Sequence, residues 1–363
     1  MKKKNKVKVV DKIAVEDVTT TNSTAMSTSR VGRKTVNNTS SRMENFVGIS
    51  MNDCTLVCCY AANLEKPVQI IYNKDGGYTT PVVAVSTRDA LYVGSPALNV
   101  AQYMPTRVLL YPLHILARAG LGKVHDDAAL PVWWEFGCPL TVSRDTGTVV
   151  YDVERGGVQV DPKTLVSEYL CRAKEQFSTV LETQELVCVL TYPDTFTSTQ
   201  CEALLQAAEE ASLKVCALLP ESLAIALAFR IDRTLYSGTY HAVVNIGYMC
   251  TTVQCITNDC GYLSFGITDG ESCTHDSAFT IHIGIHDFIA EIVAALDLPT
   301  HIDPYVRHTI ADMILQQYIE CGCCSHISID SLVDDDLEHL HTCLNSHADD
   351  IDNALEDVTD ILV

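Results

Sequence analysis

Two stretches of the chain share one pattern of hydrophobic and polar residues and lie about two hundred residues apart. The first has the sequence CTLVCC at residues 54–59, and the second has CTTVQC at 250–255. Each follows a short apolar run, at 46–51 and 241–246, and each continues into alternating apolar residues. Short alternating runs joined by a tight turn are typical of β-hairpins. The pattern therefore predicts a hairpin at the start of each half of the chain.

Helices and strands are predicted to alternate between and after these hairpins. Asp161 followed by Pro162 is typical of a helix start, because the aspartate caps the first turn and proline fits it. The apolar face of this helix is predicted to contain Leu165, Tyr169, Leu170, Ala173, Phe177 and Leu181. Further strands are predicted at 186–190, 215–219, 261–268 and 327–332, and further helices at 197–213, 223–229, 278–296, 305–318 and 337–359. This alternation predicts an α/β fold with a largely buried sheet.

Composition and charge narrow the classes of function. A hydrophobic content of 47% over 363 residues is ample for two lobes. The net charge of −21 argues against a body that binds nucleic acid, so no specific nucleic-acid partner is predicted. No apolar run approaches about 18 residues and no secretory signal pattern is present, so we expect a soluble cytoplasmic protein without membrane contact.

The first 44 residues differ from the rest because they are basic and polar, whereas no lysine or arginine follows Arg307. Residues 1–45 are predicted to form a disordered basic tail. Three interpretations stay open: an organelle transit peptide, an arm that touches RNA or the ribosome, or a solvated tail without a partner. The acidic residues of this tail weaken the first interpretation.

The sixteen cysteines could indicate a disulfide framework, but such frameworks are typical of short secreted chains. Buried free thiols therefore fit this chain better. One cluster has spacing that could suit zinc, and it consists of Cys321, Cys323, Cys324 and His326. It lacks the paired Cys-x-x-Cys knuckles of structural zinc sites, so thiols in a loop are preferred and no metal site is predicted.

His282 and His286 stand four apart on a predicted helix, where an exposed polar face is the simpler interpretation.

Five segments occur in the order and spacing found in one known family. They are 46–49, 73–81, 189–196, 220–228 and 327–332. Together they resemble the nucleotide-binding domain of the 70-kDa heat-shock proteins (Hsp70), which have a two-lobed, duplicated actin-like ATPase (ribonuclease H-like) fold. The resemblance implies lobe I at 46–233 and a partial lobe II at 234–363. The sequence ends at a strand-like segment, before the family's following glycine-rich segment, so we expect either a fragment of a longer protein or a lobe II that is incomplete.

The resemblance also implies particular residues in the first hairpin. The family places there an aspartate that holds the water shell of Mg²⁺, a glycine that lets the backbone approach phosphate, and hydroxyls that bond it. This sequence has Ser50, Asn52, Asp53 and Cys54 at those positions. The magnesium carboxylate is therefore missing, and Asp53 adds a negative charge where phosphates would lie.

The second hairpin of the family reads aspartate, an apolar residue, three glycines and threonine. Here the corresponding residues include Asn245, Gly247, Tyr248, Met249 and Cys250, so one glycine is kept. Tyr248 and Met249 are expected to project bulk into the space that a phosphate needs.

Other family positions have changed as well. The catalytic lysine corresponds to His114, and an aspartate two residues earlier corresponds to Pro112. The proline that couples nucleotide state to the interdomain surface is kept as Pro193, but cysteine (Cys201) occupies the position of its arginine partner. Glu221 is retained from the family's set. The positions that hold adenosine are occupied by Met313, Gln316 and Gln317.

These changes predict a degenerate nucleotide site that binds Mg-ATP weakly or not at all and does not hydrolyse it. The expected function is that of a binding or regulatory co-chaperone module, with other chaperones or a J-domain protein as partners and the ribosome as a candidate location. One alternative is an ATP-binding Hsp70 chaperone that retains nucleotide through Glu221, Gly247 and a reoriented Asp53. Another is a thiol or metal protein built on the same fold.

Overall fold

The computed structural model describes residues 46–62, 67–101, 103–118, 137–153, 158–181, 186–233, 239–259, 261–265, 278–281, 283–295, 307, 310–312 and 314–315. Its strands are β1 Phe46–Met51, β2 Thr55–Ala61, β3 Gln69–Ile71, β4 Thr80–Pro81, β5 Val83–Ser86, β6 Leu91–Val93, β7 Val108–Leu110, β8 Leu140–Val142, β9 Val149–Asp152, β10 Gln159–Val160, β11 Val187–Tyr192, β12 Lys214–Pro220, β13 Thr239–Ile246, β14 Thr251–Asp259, β15 Tyr262–Phe265 and β16 Ala278–Ile281. Its helices are α1 Ser95–Ala101, α2 Pro112–Ile115, α3 Pro162–Val180, α4 Ser198–Glu210, α5 Glu221–Ala228 and α6 Ile285–Ala295, with 3-10 turns at Pro105–Arg107 and Ile231–Arg233.

The first large sheet has six strands, with β4 paired to β2 beside the path β12-β11-β1-β2-β3. Strands β12, β11 and β1 run parallel, and β1, β2 and β3 are antiparallel neighbours. The β1–β2 pairing runs from Phe46 opposite Ala61 to Met51 opposite Leu56, which confirms the first predicted hairpin. The turn of this hairpin lies at the end of β1.

Helices α3 and α4 share one buried core with this sheet. Helix α3 starts as predicted, because the Asp161 carboxylate accepts a hydrogen bond from the backbone N–H of Lys163 at 2.8 Å and Pro162 fills the first turn. Every residue predicted for its apolar face from Leu165 to Phe177 is fully buried. Helix α4 begins with a capping box formed by Thr197 and Gln200.

The second large sheet has the order β13-β14-β15, with β16 also paired to β14. The β13–β14 ladder confirms the second predicted hairpin, with Ile246 opposite Thr251 at its turn. Helix α5 packs on this sheet, and the buried cluster there consists of Leu223, Ala226, Val243, Ile256 and Leu263. Helix α5 follows β12 directly and therefore connects the two sheets.

One predicted helix is partly wrong. Residues 278–281 form β16, antiparallel to β14 with Ile281 opposite Thr251, and the helix begins only at Ile285. The segment AFTI has the aromatic and β-branched residues that suit a strand, and Gly284 separates it from the helix. The result places the start of α6 beside the turn of the second hairpin.

Two smaller three-stranded sheets, β6-β5-β7 and β10-β9-β8, lie between β4 and α3 in the sequence. The whole is a mixed α/β architecture with several sheets, consistent with the actin-like ATPase fold. The predictions for residues 1–45, 327–332 and 337–359 fall outside the described residues. Among the helices that are described, none is long and apolar enough to cross a membrane.

Candidate functional site

The turn of the first hairpin is closed by the side chain of Asn52. Its amide Oδ1 accepts hydrogen bonds from the backbone N–H groups of Cys54 at 2.9 Å and Thr55 at 2.7 Å. The backbone N–H of Asn52 donates to the carbonyl oxygen of Thr55 at 2.9 Å. A phosphate-binding turn points such N–H groups at its ligand. Here the Asn52 side chain already accepts the bonds of two of these groups, the N–H of Cys54 and the N–H of Thr55.

Asp53 is held inside the cleft beside this turn. Its Oδ1 is shielded from solvent and has no hydrogen-bond partner in the described part of the chain, and the carboxylate accepts a bond from the backbone N–H of His114. Burial raises the pKa of Asp53 to about 7, and the nearby negative charge of Glu221 adds to this rise. A carboxyl group in this place repels phosphate when it is ionised.

Ser50 lies near the end of β1, and the resemblance assigns the family's magnesium carboxylate to this position. Its Oγ accepts a hydrogen bond from the hydroxyl of Thr191 on the neighbouring strand β11 at 3.1 Å. A hydroxyl bonded to another hydroxyl supplies no negative charge for a hydrated cation.

The turn of the second hairpin is fixed by its own backbone and by α6. The N–H of Gly247 donates to the carbonyl oxygen of Cys250 at 3.0 Å, and the N–H groups of Ile285 and His286 donate to the carbonyls of Gly247 and Tyr248 at 3.1 and 3.0 Å. A Cβ on Gly247 would lie 2.8 Å from the Cys250 carbonyl oxygen, so this close turn requires glycine. The start of α6 therefore sets the position of Tyr248.

Tyr248 stacks on Tyr111 and joins the second hairpin to the start of α2. The ring centroids are 5.1 Å apart with an interplanar angle of 30°, and the Tyr111 hydroxyl donates to the Tyr248 hydroxyl at 3.2 Å. Tyr111 is buried and has a left-handed backbone (φ 55°), immediately before Pro112. The ring of His286 meets Tyr248 edge-on at 6.2 Å, and Met249 is also buried. The bulk predicted for Tyr248 is thus packed against the opposite side of the cleft.

Glu221 lies at the first position of α5, next to the second hairpin. Its Oε2 accepts a hydrogen bond from Asn245 Nδ2 at 2.9 Å. Burial raises the pKa of Glu221 to about 7; the bond from Asn245 opposes this rise and the charge of Asp194 adds to it. Asp194 in turn accepts bonds from the Ser222 hydroxyl at 2.6 Å and the Ser222 N–H at 3.1 Å, which ties the end of β11 to α5.

The two cysteines of the hairpin turns are neutral thiols. Burial raises the pKa of Cys250 to about 11, and the carboxylates of Asp53, Glu221 and Asp194 contribute. Burial likewise raises the pKa of Cys54 well above its ordinary value. Because the thiolate is the reactive form, neither cysteine is an activated nucleophile. The cleft combines acidic carboxyls with neutral thiols and aromatic rings.

His114, to which the resemblance assigns the position of the family's catalytic lysine, is half-buried in α2. Its Nε2 accepts a hydrogen bond from Arg118 Nη1 at 3.1 Å. Pro112 is buried at the start of the same helix, and Cys201 is buried in α4 eight residues beyond Pro193. An imidazole that accepts from a guanidinium cannot supply the mobile positive charge that a lysine brings to a γ-phosphate.

Several predicted positions lie outside the described residues: Met313, Gln316, Gln317, Cys321, Cys323, Cys324, His326 and His282. Within the described part of the chain, no group of three histidine, cysteine or acidic side chains could hold a metal ion. The expectation of an exposed face at His286 is wrong, because that side chain is 2% exposed beneath Tyr248.

The structure adds two residues that the sequence did not single out. Tyr111 is the partner of Tyr248, and Asp194 joins β11 to α5. The sequence offered two cues. Tyr111 directly precedes the helix start at Pro112, and Asp194 directly follows Tyr192-Pro193. Neither cue indicates contact with a residue far along the chain.

Comparison with known proteins agrees with the fold. The family model described as Hsp70 protein matches residues 46–293. The chaperone protein DnaK of Deinococcus radiodurans is 30% identical over 165 residues, 46% of this chain and 25% of that protein. The heat shock 70 kDa protein of Emericella nidulans is 24% identical over 249 residues, 68% of this chain and 36% of that protein. The matches thus span about a quarter to a third of these curated relatives, and the chain belongs to the Hsp70 family.

Proposed function

We propose that this protein is an Hsp70-family nucleotide-binding module whose cleft does not hold Mg-ATP in the family's manner, and that it acts as a binding or regulatory partner of other chaperones. In this proposal the two hairpins head two lobes, at 46–233 and 234–363, of a duplicated actin-like fold. The lobes keep their architecture, and the phosphate chemistry between them is lost.

The observation that carries the proposal is the stacked pair Tyr111–Tyr248. In the family the two hairpin turns approach phosphate from opposite sides, and the second turn does so with consecutive glycines. Here Tyr248 leaves that turn and contacts Tyr111 across the cleft at 5.1 Å between ring centroids. A phosphate chain would have to separate these two rings and break the bond between their hydroxyls.

The polar groups of the cleft support the same conclusion. Asn52 already bonds the N–H groups of Cys54 and Thr55. Asp53 and Glu221 add negative charge when they ionise, and Ser50 provides none for magnesium. Each lost charged or hydrogen-bonding contact costs about 1.5 to 3 kcal/mol, and at least six family positions differ. Even half of the summed loss changes affinity by several orders of magnitude.

The partners in this proposal are other chaperones or a J-domain protein in the cytoplasm, with the ribosome as the place where they meet. The support comes from charge: ten basic residues stand among the first 44, whereas the chain as a whole carries −21. A basic segment on an acidic body can contact ribosomal RNA without drawing the body onto it.

Titration calorimetry with Mg-ATP tests the proposed loss of nucleotide binding. We expect no binding tighter than about 10 μM, which corresponds to about −7 kcal/mol. Tighter binding would contradict the proposal and would favour the ATP-binding alternative, in which Glu221, Gly247 and Asp53 contact the nucleotide.

A back-substituted variant is the matched control for this titration. It restores the family's residues at both turns through Ser50→Asp, Asn52→Gly, Asp53→Thr, Cys54→Thr, Asn245→Asp, Tyr248→Gly, Met249→Gly and Cys250→Thr. We expect measurable Mg-ATP binding by this variant, provided that circular dichroism shows it to be folded. If the folded variant binds no better than the natural chain, the changed turns are not the cause of the loss.

A further inference from the structure

We propose that protons control the cleft between the two hairpins: it stays closed while Asp53 and Glu221 are protonated and opens when both ionise. This proton-dependent closure deepens the proposed function, since it rests on a cleft that holds no nucleotide. The contact that breaks on opening is Tyr111–Tyr248.

One oxygen of the half-buried Asp53 carboxyl is shielded from water while the cleft is closed. Its Oδ1 has no solvent-accessible surface and no partner among the described residues. A protonated carboxyl tolerates such a place, whereas an ionised carboxylate needs several hydrogen bonds that only water could supply here. The titratable and charged groups that act on Asp53 or on its neighbours are Cys54 in its own turn, Tyr111, His114 and Arg118 at α2, Tyr151 on β9, Asp194 after β11, Glu221 at the start of α5, Tyr248 and Cys250 in the second hairpin, and Asp312.

Glu221 places a second charge on the opposite side of the cleft. It is bonded to Asn245 of β13, and α5 packs its apolar residues on the second sheet. Asp53 belongs to the hairpin of the first sheet. When both carboxyls are ionised, their repulsion therefore acts between the two sheets, in a neighbourhood where Asp194 and Asp312 add to the negative charge.

Asp53 and Glu221 both ionise near neutral pH. Burial raises the pKa of Asp53 and that of Glu221 to about 7. Opening hydrates the groups and returns each pKa towards its ordinary value. The opening equilibrium should then rise by about tenfold per pH unit for each carboxyl between about pH 5 and pH 7, and level off above.

Hydroxyl-radical footprinting of tyrosines tests this closure. We expect the oxidation rates of Tyr111 and Tyr248 to rise by at least about tenfold between about pH 5 and pH 8. Tyr72 and Tyr240 are internal references, because both are already more than half exposed and should keep constant rates. Equal rates for Tyr111 and Tyr248 at the two pH values would overturn the proposal.

The double variant Asp53→Asn, Glu221→Gln cannot ionise at these positions, so its Tyr111 and Tyr248 should stay protected at both pH values. The exposed pair Asp145→Asn, Glu209→Gln removes the same number of charges and should behave like the natural chain. A pH response that persists in the first double variant would also overturn the proposal. Circular dichroism on both variants checks that each is folded.

Repeating the footprint with Mg-ATP separates this inference from the proposed function. If Mg-ATP protects Tyr111 at about pH 8, the cleft takes nucleotide and the proposed function fails, while the pH response in its absence still supports the closure. If Mg-ATP has no effect and no pH response occurs, the proposed function is supported and the closure fails.

Discussion

Replacing Asp53 with asparagine is expected to stabilise the protein by about 2–4 kcal/mol at about pH 8. At that pH the natural side chain is ionised, so either its shielded Oδ1 stays without a hydrogen-bond partner among the described residues or the cleft opens at a cost in free energy. Asparagine is neutral and nearly the same size, and its amide oxygen can take the place of the carboxyl oxygen that accepts the bond from the His114 N–H. Urea denaturation at several pH values measures the difference.

The pH dependence of this gain follows from the direction of the pKa shift. The folded protein binds the Asp53 proton more tightly than the unfolded chain does, since its pKa rises from 3.8 to about 7. Stability of the natural protein is therefore lost as pH rises from about 4 to about 7, and the loss is constant above that range. The variant's advantage should follow the same curve and vanish near pH 4.

Asp145→Asn is the matched control, because Asp145 lies exposed in the turn between β8 and β9. Its effect should stay within about 0.5 kcal/mol at every pH. A gain for Asp53→Asn that is equal at about pH 5 and pH 8, or a loss at pH 8, would show that ionisation of Asp53 does not destabilise the folded protein.

Local sequence patterns were sufficient for both hairpins, for strands β11, β12 and β15, and for helices α3, α4 and α5. Asp161-Pro162 and Thr197 indicate where α3 and α4 begin, because each helix is capped by a hydrogen bond between residues only two or three positions apart. The hairpin strands alternate in polarity and are therefore visible in a short window. Strand β16 was missed because its pairing with β14 lies more than twenty residues back, and its apolar run also suits a helix.

The chemistry of the cleft could be predicted only in part. The sequence identifies Ser50, Asn52, Asp53 and Tyr248 as unusual, because each can be compared with a family pattern at one position. It does not show that Asn52 turns back on Cys54, or that Tyr248 reaches Tyr111, since these depend on the fold around the turn. The raised pKa of Asp53 has the same origin, because burial is a property of the assembled cleft.

Gly284→Ala is the second change with a large expected effect, because the second hairpin and α6 meet at this glycine. An added Cβ would overlap the carbonyl oxygen of Tyr248 and lie 2.7 Å from the backbone nitrogen of Cys250. Both atoms belong to backbone, which cannot move aside as a flexible side chain can. We expect a loss of about 2 kcal/mol or more in the free energy of unfolding, measured by urea denaturation. Since α6 holds the Tyr248 carbonyl through His286, Tyr248 should also become more accessible to footprinting.

Gly147→Ala is the matched control, because nothing lies within 4 Å of the added Cβ and its backbone has φ +70°. That variant suffers only the left-handed backbone penalty of about 1 kcal/mol, and Tyr248 should remain protected. In open space, alanine in place of glycine stabilises a protein by about 0.4–1 kcal/mol through the unfolded chain. A gain of that kind at Gly284 would mean that α6 does not press against the second hairpin, and the packing that directs Tyr248 onto Tyr111 would need another cause.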